Sequence, residues 1–408
     1  MFSDVKSELQ FVRYKAPFSG ALYFFIPQLI VGTGMEKQAK ILYGATELGA
    51  PQFSSDILWR TKFRVPDPVF LVGVEEKTFL FVSSLEFGRA DKEARVDEVI
   101  LSDGGIGQVI RFLKAERVRR VIVPHNFPYG LAKSIGQEFV VGVKQAPFYP
   151  ERMRKTKWEI GEIGAAQEAA ERALKKAMTF LQSTRIRGAQ VYEGRATVTS
   201  ERVRKLIDDS MYADGYFGIN TIVSCGVQAA DPHAAGAGPL QARAPIVIDI
   251  FPVSLSTHYY GDMTRTIFRG EPSKEYVRMY EAVRAAQEQA IAQVRAGADG
   301  KDIYDGVCRY FNAEGYPTRI GKNRSEGFIH GLGHGVGLEI HEPPSLGARS
   351  WTLEAGNVVT VEPGLYYRRR RDRIPAGGIR IEDVVVVEKK GCRNLTAAPK
   401  ELSSVILK

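Results

Sequence analysis

The sequence predicts an α/β protein with a smaller N-terminal part and a larger C-terminal part built from two similar halves. Three observations carry this prediction: β-rich runs interleaved with a helical pattern before residue 150, a repeated order of elements after it, and a histidine-rich run at 330–342. The 408 residues are enough for two or three domains of about 100–200 residues each.

The N-terminal part alternates apolar β-rich runs with polar breaks. Strands are expected at 39–43, 69–74, 78–82 and 120–124, and an amphipathic helix is expected at 105–119. The sequence here carries no metal-ligand cluster or phosphate loop, so we expect this domain to shape or cover a site carried elsewhere.

A proline-bearing basic segment, 147–158, precedes a long Ala- and Glu-rich helix that is expected from about Trp158 to Leu181. A proline break before a strong helix is a reasonable domain boundary. We place the boundary near Thr156, which gives domains 1–155 and 156–408.

The second domain repeats itself. One helix ends in Ala-Asp-Gly-Tyr at 213–216 and another ends in Ala-Glu-Gly-Tyr at 313–316. Each follows a long helix, the second of which is expected at about 273–295, and each leads into apolar strands. The sequence therefore predicts a pseudo-symmetric α/β domain whose halves meet at a central groove, where ligand sites commonly form.

Composition excludes several other classes of protein. No run of about 18 uncharged apolar residues is present, and the apolar stretch from Ala21 to Gly32 is too short for a membrane span and lacks the features of a signal peptide. Three widely spaced cysteines predict free thiols in a reducing compartment, so we expect a cytoplasmic protein. The net charge of +9 is spread along the chain, which argues against nucleic acid, and the arginine-rich run 368–373 is expected to be a solvated loop.

The histidine-rich run places His330, His334 and His341, three of the six histidines, within twelve positions among glycines and apolar residues. A solvated loop or a plain core strand has no reason to carry such a density. We therefore expect this stretch to hold a ligand, with its glycines letting the ligand approach the backbone closely.

Four acidic residues lie in or beside strand-like apolar runs: Asp249, Asp262, Glu362 and Glu382. One such residue alone is more often a carboxylate at a strand end. Together they require compensation, because an unpaired buried carboxylate costs several kcal/mol or shifts its pKa until it is neutral. Besides Arg265 and Arg380 the sequence offers few cations that could be buried with them.

Two divalent cations would balance the four carboxylates and leave room for a bridging hydroxide. Oxygen ligands and one imidazole suit Mn, Co, Zn or Fe(II), and His334 is the best candidate for the imidazole. Two such ions activate a shared water and clamp a tetrahedral oxyanion, so the residues predict a dinuclear hydrolase.

The order Asp, Asp, His, Glu, Glu in these contexts resembles the pita-bread metallopeptidases, the superfamily of methionine aminopeptidase, Xaa-Pro aminopeptidase, prolidase and creatinase. The resemblance covers roughly residues 150–390 and rests on four motifs in the same order, at 261–266, 330–342, 360–366 and 378–383. It implies a C-terminal pita-bread domain preceded by a smaller α/β domain of the creatinase/prolidase type.

The resemblance also implies the roles of the matched residues. The five metal ligands would be Asp249, Asp262, His334, Glu362 and Glu382. Glu362 would additionally be the general base that carries the proton from the bridging water to the leaving amine.

Four further residues are implied to act on the substrate. His341 would polarise the scissile carbonyl or steady the tetrahedral intermediate. His233 matches the family's upstream substrate-facing histidine, and His330 would also face the substrate. Arg380 precedes the last ligand as in aminopeptidase P-like proteins.

The leading α/β domain, His330 and Arg380 favour the Xaa-Pro group of the superfamily. The implied activity is cleavage of the bond before proline, either in longer peptides, as in aminopeptidase P, or in dipeptides, as in prolidase, by a homodimer. Two other classes stay open: a non-catalytic pita-bread protein that binds a peptide or partner, and a dinuclear phosphoesterase that uses the run 368–373.

Two features depart from the family pattern. Asp249 and Asp262 lie thirteen positions apart (262 − 249), whereas the family spacing is usually shorter by two, so a bulge or longer turn is predicted over 252–259. His125 and His258 match no family position, and we expect structural roles for them.

Overall fold

The computed structural model describes residues 37–322 and 325–408. The apolar stretch from Ala21 to Gly32 lies outside the described residues. Within the described ranges no helix is both long and apolar enough to cross a membrane.

Residues 38–144 form one six-stranded sheet with helices on both faces. Its strands are β1 (Gln38–Gly44), β2 (Val69–Val74), β3 (Lys77–Val82), β4 (Glu98–Leu101), β5 (Arg120–Pro124) and β6 (Val140–Lys144). The helices are α1 (Ser55–Thr61), α2 (Ser84–Glu93), α3 (Ile106–Ala115) and α4 (Tyr129–Gly136). The strand order is β4-β3-β2-β1-β5-β6, with β1, β2 and β3 antiparallel and the other pairs parallel. The predicted strands are confirmed, and the predicted helix at 105–119 is α3.

Strand alternation builds a core on each face of this sheet. Ile41 packs with α3 and α4 on one face, whereas Leu42 packs with α1 and α2 on the other. Helix α1 also reaches beyond the sheet, because Leu58 is buried in a separate cluster with Val336 and Val358. The N-terminal sheet is therefore packed, through α1, against the histidine-rich run.

A short connection leads from this sheet to the long helix α5 (Lys157–Ser183). It contains a 3₁₀ turn at Pro150–Met153, and Thr156 then caps α5 in a capping box with Glu159. The predicted long helix is confirmed, and it extends slightly beyond both expected ends.

The remaining chain carries two sets of strands and helices. The first set is β7 (Arg185–Arg187), β8 (Gln190–Glu193), β9 (Ala196–Thr197), α6 (Ser200–Ala213), β10 (Tyr216–Gly218), β11 (Ile222–Cys225), a 3₁₀ turn (Gly226–Ala230), β12 (Pro245–Ile250), β13 (Pro252–Ser254) and β14 (Met263–Arg269). The second set is α7 (Lys274–Ile291), α8 (Gly300–Ala313), β15 (Gly333–Gly335), β16 (Glu342–Leu346), β17 (Val358–Val361), β18 (Gly364–Tyr367), β19 (Gly377–Arg380), β20 (Asp383–Glu388), β21 (Gly391–Asn394), α9 (Leu402–Val405) and β22 (Ile406–Leu407).

The predicted repeat of two helices followed by strands is present in both halves, but the short strands β7, β8 and β9 separate the two helices in the first half only. Helices α6 and α8 each follow a long helix, and each ends before a glycine, Gly215 or Gly315, with φ of +82°. The strands that follow form two sheets, β11-β12-β14-β22 and β16-β15-β17-β20-β21. The sheets are joined where the Glu382 N–H donates to the Thr264 carbonyl at 3.0 Å and Arg265 pairs with Asp383 at 2.7 Å.

The extra residues between the first two predicted ligands form the turn that follows β13. This turn points towards the N-terminal sheet, where Arg64 donates to the carbonyl oxygens of Leu255 and Ser256 at 3.1 Å. His258 follows with φ of +63° and is 1% exposed, 3.7 Å from Glu47. A turn is therefore present in the predicted range, and it contacts Arg64 in the N-terminal part. His125 lies exposed after β5.

Two smaller expectations concern the surface and the cysteines. The arginine-rich run 368–373 forms the exposed tip of the hairpin between β18 and β19, which confirms the predicted loop. Cys225, Cys308 and Cys392 are all free thiols, as predicted.

Candidate active site

The five predicted ligands lie on strands, or at strand ends, of both halves. Asp249 is in β12, Asp262 directly precedes β14, His334 is in β15, Glu362 directly follows β17, and Glu382 lies between β19 and β20. Because β12 and β14 are antiparallel neighbours, the two aspartates come from adjacent strands of one sheet. The other three ligands come from the second half.

Three of these side chains form a tight cluster. Asp262, His334 and Glu382 each offer a ligand atom, and these atoms lie within 4.8 Å of one another. The Nε2 atom of His334 is 3.5 Å from Oδ2 of Asp262 and 3.5 Å from Oε1 of Glu362. Its Nδ1 atom lies 3.2 Å from the carbonyl oxygen of Gly335, which can only accept a hydrogen bond. His334 therefore presents an unprotonated Nε2 to the carboxylates, the form in which imidazole binds a metal.

Burial and mutual repulsion disfavour ionisation of three of the acids. Burial raises the pKa of Glu362 to about 8. Burial, followed by repulsion from Glu382 and Asp249, raises the pKa of Asp262 well above its ordinary value. Burial, followed by repulsion from Glu362 and Asp249, does the same to the pKa of Glu382. The site thus concentrates more negative charge than its own side chains balance.

Arg380 is the cation that faces this cluster. Its Nη2 donates to Oδ2 of Asp249 at 2.6 Å, and its Nε donates to the Thr264 hydroxyl at 3.0 Å. The Thr264 hydroxyl donates in turn to Oε2 of Glu382 at 2.8 Å. Arg265, which the sequence also offered as a compensating cation, pairs with the Asp383 carboxylate and reaches the predicted ligands only at the backbone carbonyl of Glu382, to which it donates at 2.6 Å.

One atom tests whether divalent metal ions fit this donor set. Oδ1 of Asp249 is buried and has no hydrogen-bond partner among the described residues. An orphaned buried carboxylate oxygen is costly, and here it accompanies three carboxylates whose pKa values are raised. Oxygen donors with one neutral imidazole suit divalent ions such as Mn or Zn. The residues present fit such ions.

The remaining predicted site residues surround the cluster. The ring of His341 stands perpendicular to that of His334, with centroids 4.2 Å apart, and Nδ1 of His330 lies 4.0 Å from Oε2 of Glu362. His233 is exposed, and its loop is tied to the site because Arg380 donates to the Pro232 carbonyl at 3.4 Å. Burial is the main cause that lowers the pKa of His330 to about 3 and the pKa of His334 to about 3, so both rings are neutral at pH 7.

Tyr366 lies in the motif at 360–366, and the sequence predicts no role for it. Its hydroxyl accepts from Nη1 of Arg380 at 3.0 Å and lies 2.9 Å from Nε2 of His330. Nδ1 of His330 faces the Gly331 carbonyl at 2.7 Å and so carries the proton, which makes Nε2 the acceptor of the tyrosine hydroxyl. A chain of hydrogen bonds therefore fixes the His330 ring. In sequence, Tyr366 is marked only by its place in the motif at 360–366. The structure brings it near Arg380 because Gly364, two positions earlier, pairs with Arg380 in the β18–β19 hairpin.

The explanation given for the glycines was wrong. A Cβ at Gly333 would lie 2.0 Å from the Thr360 carbonyl oxygen, and one at Gly335 would lie 2.5 Å from the Glu342 carbonyl oxygen. At Gly337 it would lie 2.7 Å from the Glu342 carboxylate. These glycines are required because neighbouring protein atoms approach closely. This corrects the expectation that their small size serves the approach of a ligand.

Two joined sheets of a pseudo-symmetric α/β domain share a buried cluster of carboxylates and a histidine. This combination defines a pita-bread metallopeptidase. Residues 161–389 match the model of metallopeptidase family M24, and the chain belongs to this family. The structure also shares the two-domain fold of the prolidase and aminopeptidase P proteins.

Three relatives show the extent of the similarity. The Xaa-Pro dipeptidase of Pyrococcus horikoshii is 30% identical over 334 residues, which cover 80% of this chain and 86% of that protein. The X-Pro aminopeptidase of Thermotoga maritima is 26% identical with a TM-score of 0.73, covering 90% of this chain and 97% of the other. The Xaa-Pro dipeptidase of Bacillus anthracis is 25% identical with a TM-score of 0.75, covering 90% and 94%.

Proposed function

We propose that this metallopeptidase is a dinuclear exopeptidase that hydrolyses the peptide bond before proline, at the N-terminus of peptides or in dipeptides. The observation that carries the proposal is the cluster of Asp262, His334, Glu362 and Glu382 with the orphaned Oδ1 of Asp249. The proline specificity is supported by relatives named Xaa-Pro dipeptidase and X-Pro aminopeptidase.

The proposed ligands of two divalent ions are Asp249, Asp262, His334, Glu362 and Glu382, with manganese the preferred metal. When bound, such ions polarise a carbonyl and lower the pKa of a water molecule. The neutral His334 ring and the repulsion among the carboxylates support this ligand set.

Glu362 is proposed to take the proton of the attacking water and to return it to the leaving amine. Its side chain is 18% exposed, so the carboxylate is buried yet reachable, and Oε1 lies 3.5 Å from His334. A carboxylate is suited to both steps when it lies within hydrogen-bond reach of the attacking water.

His341 and His233 are proposed to bind the substrate, because both imidazoles are exposed beside the buried cluster. His341 would donate to the carbonyl oxygen as negative charge develops there. Arg380 and Tyr366 hold the His330 ring in one orientation, so we propose that His330 lines the same substrate pocket.

Substitution of the proposed base tests this function. Glu362→Gln keeps the volume but cannot accept the proton, so kcat on an Xaa-Pro peptide should fall by at least about a hundredfold with KM nearly unchanged. Glu326→Gln is the matched control, since Glu326 is also buried but pairs with Arg371 at the hairpin tip. Unchanged turnover of Glu362→Gln would contradict the proposal.

Substrate length is tested with the same protein. A dipeptide, a tripeptide and a pentapeptide that share one Xaa-Pro start, with Xaa-Ala peptides as controls, would be assayed with and without Mn. Cleavage of the dipeptide alone indicates a prolidase, and cleavage of all three indicates an aminopeptidase. Equal rates on Xaa-Ala peptides would contradict the proline specificity.

Three further proposals concern organisation. We propose domains 1–155 and 156–408, supported by strands of 38–144 that pair only with one another in the described residues and by the cap at Thr156. We propose a homodimer, to be measured by light scattering. The three free thiols support a cytoplasmic location.

A further inference from the structure

The carboxylate of Glu342, the residue after His341, lies between two buried cations. Nζ of Lys155 bonds Oε1, and Nη2 of Arg152 bonds Oε2 at 2.9 Å. The three side chains are 5%, 2% and 7% exposed, in the order Glu342, Lys155 and Arg152. Ion pairs this deeply buried are sensitive to the loss of either partner, because the remaining charge is left unpaired.

The two cations belong to the segment that precedes α5, and hydrogen bonds hold this segment in place. The Lys155 N–H donates to the Gly356 carbonyl at 2.8 Å, and the Asn357 side chain donates to the Met153 carbonyl at 2.9 Å. Both partners lie directly before β17, the strand that leads to Glu362. The segment is therefore anchored to the sheet that carries the site.

Arg152 also reaches the N-terminal sheet domain. Its Nη1 donates to Oδ1 of Asp56 at 2.8 Å and to the Ser55 hydroxyl at 2.9 Å, both in α1. The Ser55 hydroxyl bonds Glu339 in the histidine-rich run. Three segments distant in sequence thus meet at one cluster of charges.

Glu342 has little freedom to move within this cluster. Its backbone pairs with Gly335, and its carboxylate packs against the Cα of Gly337, where an added Cβ would lie 2.9 Å from Cδ. Because a planar peptide bond joins the two residues, fixing Glu342 restricts the Cα of His341. The His341 ring is exposed and has few other restraints, apart from its contact with His334.

We propose that Lys155 and Arg152 are positioning residues for His341: by holding Glu342 they orient the His341 imidazole towards the reacting carbonyl, and they couple helix α1 to the active site. The inference rests on the proposed function for the part that His341 plays in the reaction. It adds two residues from the segment before α5 to the groups on which turnover depends.

A double-mutant cycle tests this coupling with the metal-loaded protein. Lys155→Met leaves Arg152 to pair with Glu342, so the fold should survive, and kcat should fall by about tenfold with KM unchanged. In a His341→Ala background the same substitution should cost nothing further, whereas a merely structural contribution would cost the same in both backgrounds. Arg154→Ala is the matched control, because Arg154 lies in the same segment but is exposed, 3.6 Å from Glu354.

Glu342→Asp provides a second variant that keeps the charge but shortens the side chain. It should show the same loss of kcat and the same lack of additivity with His341→Ala. Additive losses for both Lys155→Met and Glu342→Asp would overturn the proposal.

A measurement independent of activity separates this inference from the proposed function. Histidine-ring NMR of the zinc-loaded protein is suitable because zinc is diamagnetic, and the His341 signal is identified by its loss in His341→Ala. Lys155→Met should shift that signal, while Arg154→Ala should not. If His341→Ala left kcat unchanged, the proposed reaction would fail, and the NMR signal would still decide the positioning. An unmoved His341 signal in Lys155→Met would overturn it.

Discussion

Arg380 and Asp249 form a buried ion pair, 2.6 Å between Nη2 and Oδ2, in which the second oxygen of the carboxylate has no partner among the described residues. The same guanidinium bonds Thr264 and Tyr366, so one side chain restrains a proposed ligand and the hydrogen bonds around His330. Its shape matters as much as its charge, because a lysine has one nitrogen with which to replace three.

Arg380→Lys should therefore reduce kcat by about a hundredfold while the protein still folds, since the charge is kept but the fork of donors is lost. Steady-state kinetics and thermal unfolding would be measured together. Arg371→Lys serves as the control, because Arg371 is itself exposed and pairs with Glu326 away from the proposed ligands. Wild-type kinetics for Arg380→Lys would show that charge alone is sufficient.

Metal removal should make stability depend on pH. In the folded metal-free protein the pKa of Glu362 is raised from 4.5 to about 8 by burial, so the folded state holds a proton that the unfolded state releases. A raised carboxyl pKa means that stability is lost as the pH rises from about 4.5 to about 8. The Tm of chelated protein should therefore fall from about pH 6.5 to about pH 8, above the range in which the buried His258, His330 and His334 gain protons on unfolding, and added Mn should raise it most near pH 8. Glu362→Gln should make the fall of Tm with pH less steep. A Tm of the chelated wild-type protein that rises over the same pH range would contradict the prediction.

His258 should contribute to acid unfolding. Burial, followed by the nearby Arg64, lowers its pKa from 6.5 to about 4, so the unfolded state takes up a proton first as the pH falls. The stability lost between about pH 6.5 and pH 4 amounts to about 3 kcal/mol. His258→Asn suits the positive φ and should remove most of this loss, as measured by urea unfolding at pH 7.5 and pH 4.5. Parallel profiles for variant and wild type would refute it.

The glycines of the histidine-rich run should differ in their tolerance of alanine. Gly333→Ala would place Cβ 2.0 Å from the Thr360 carbonyl oxygen, and we expect a loss of about 1–3 kcal/mol or more. Gly331→Ala meets nothing closer than the Leu346 carbonyl oxygen at 3.4 Å, so its stability should change by less than about 0.5 kcal/mol. Urea unfolding of both variants measures the difference. Equal stabilities would show that the strands separate easily at Gly333.

Local pattern predicted the elements that depend on local physics. The continuous apolar run of β2 and the proline break before α5 are visible in sequence, and the four acids stood out because carboxylates are rare in apolar runs. The basic segment that carries Arg152 and Lys155 is visible in sequence, but their pairing with Glu342 is not, because that residue lies 190 and 187 positions away. For the same reason the role of the glycines could not be predicted. The Thr360 carbonyl oxygen that crowds Gly333 belongs to a strand that only the fold brings near.

The proposed ligands come from both halves of the C-terminal part, which bears on how firmly the halves are held together. Asp249 and Asp262 belong to one half, while His334, Glu362 and Glu382 belong to the other. If the proposed ligand set holds an ion, that ion joins the two halves, so metal affinity and the free energy that holds the halves together would be thermodynamically linked. A substitution at Arg265, which pairs with Asp383 and donates to the Glu382 carbonyl, should weaken the contact between the halves and hence metal binding without replacing a proposed ligand side chain.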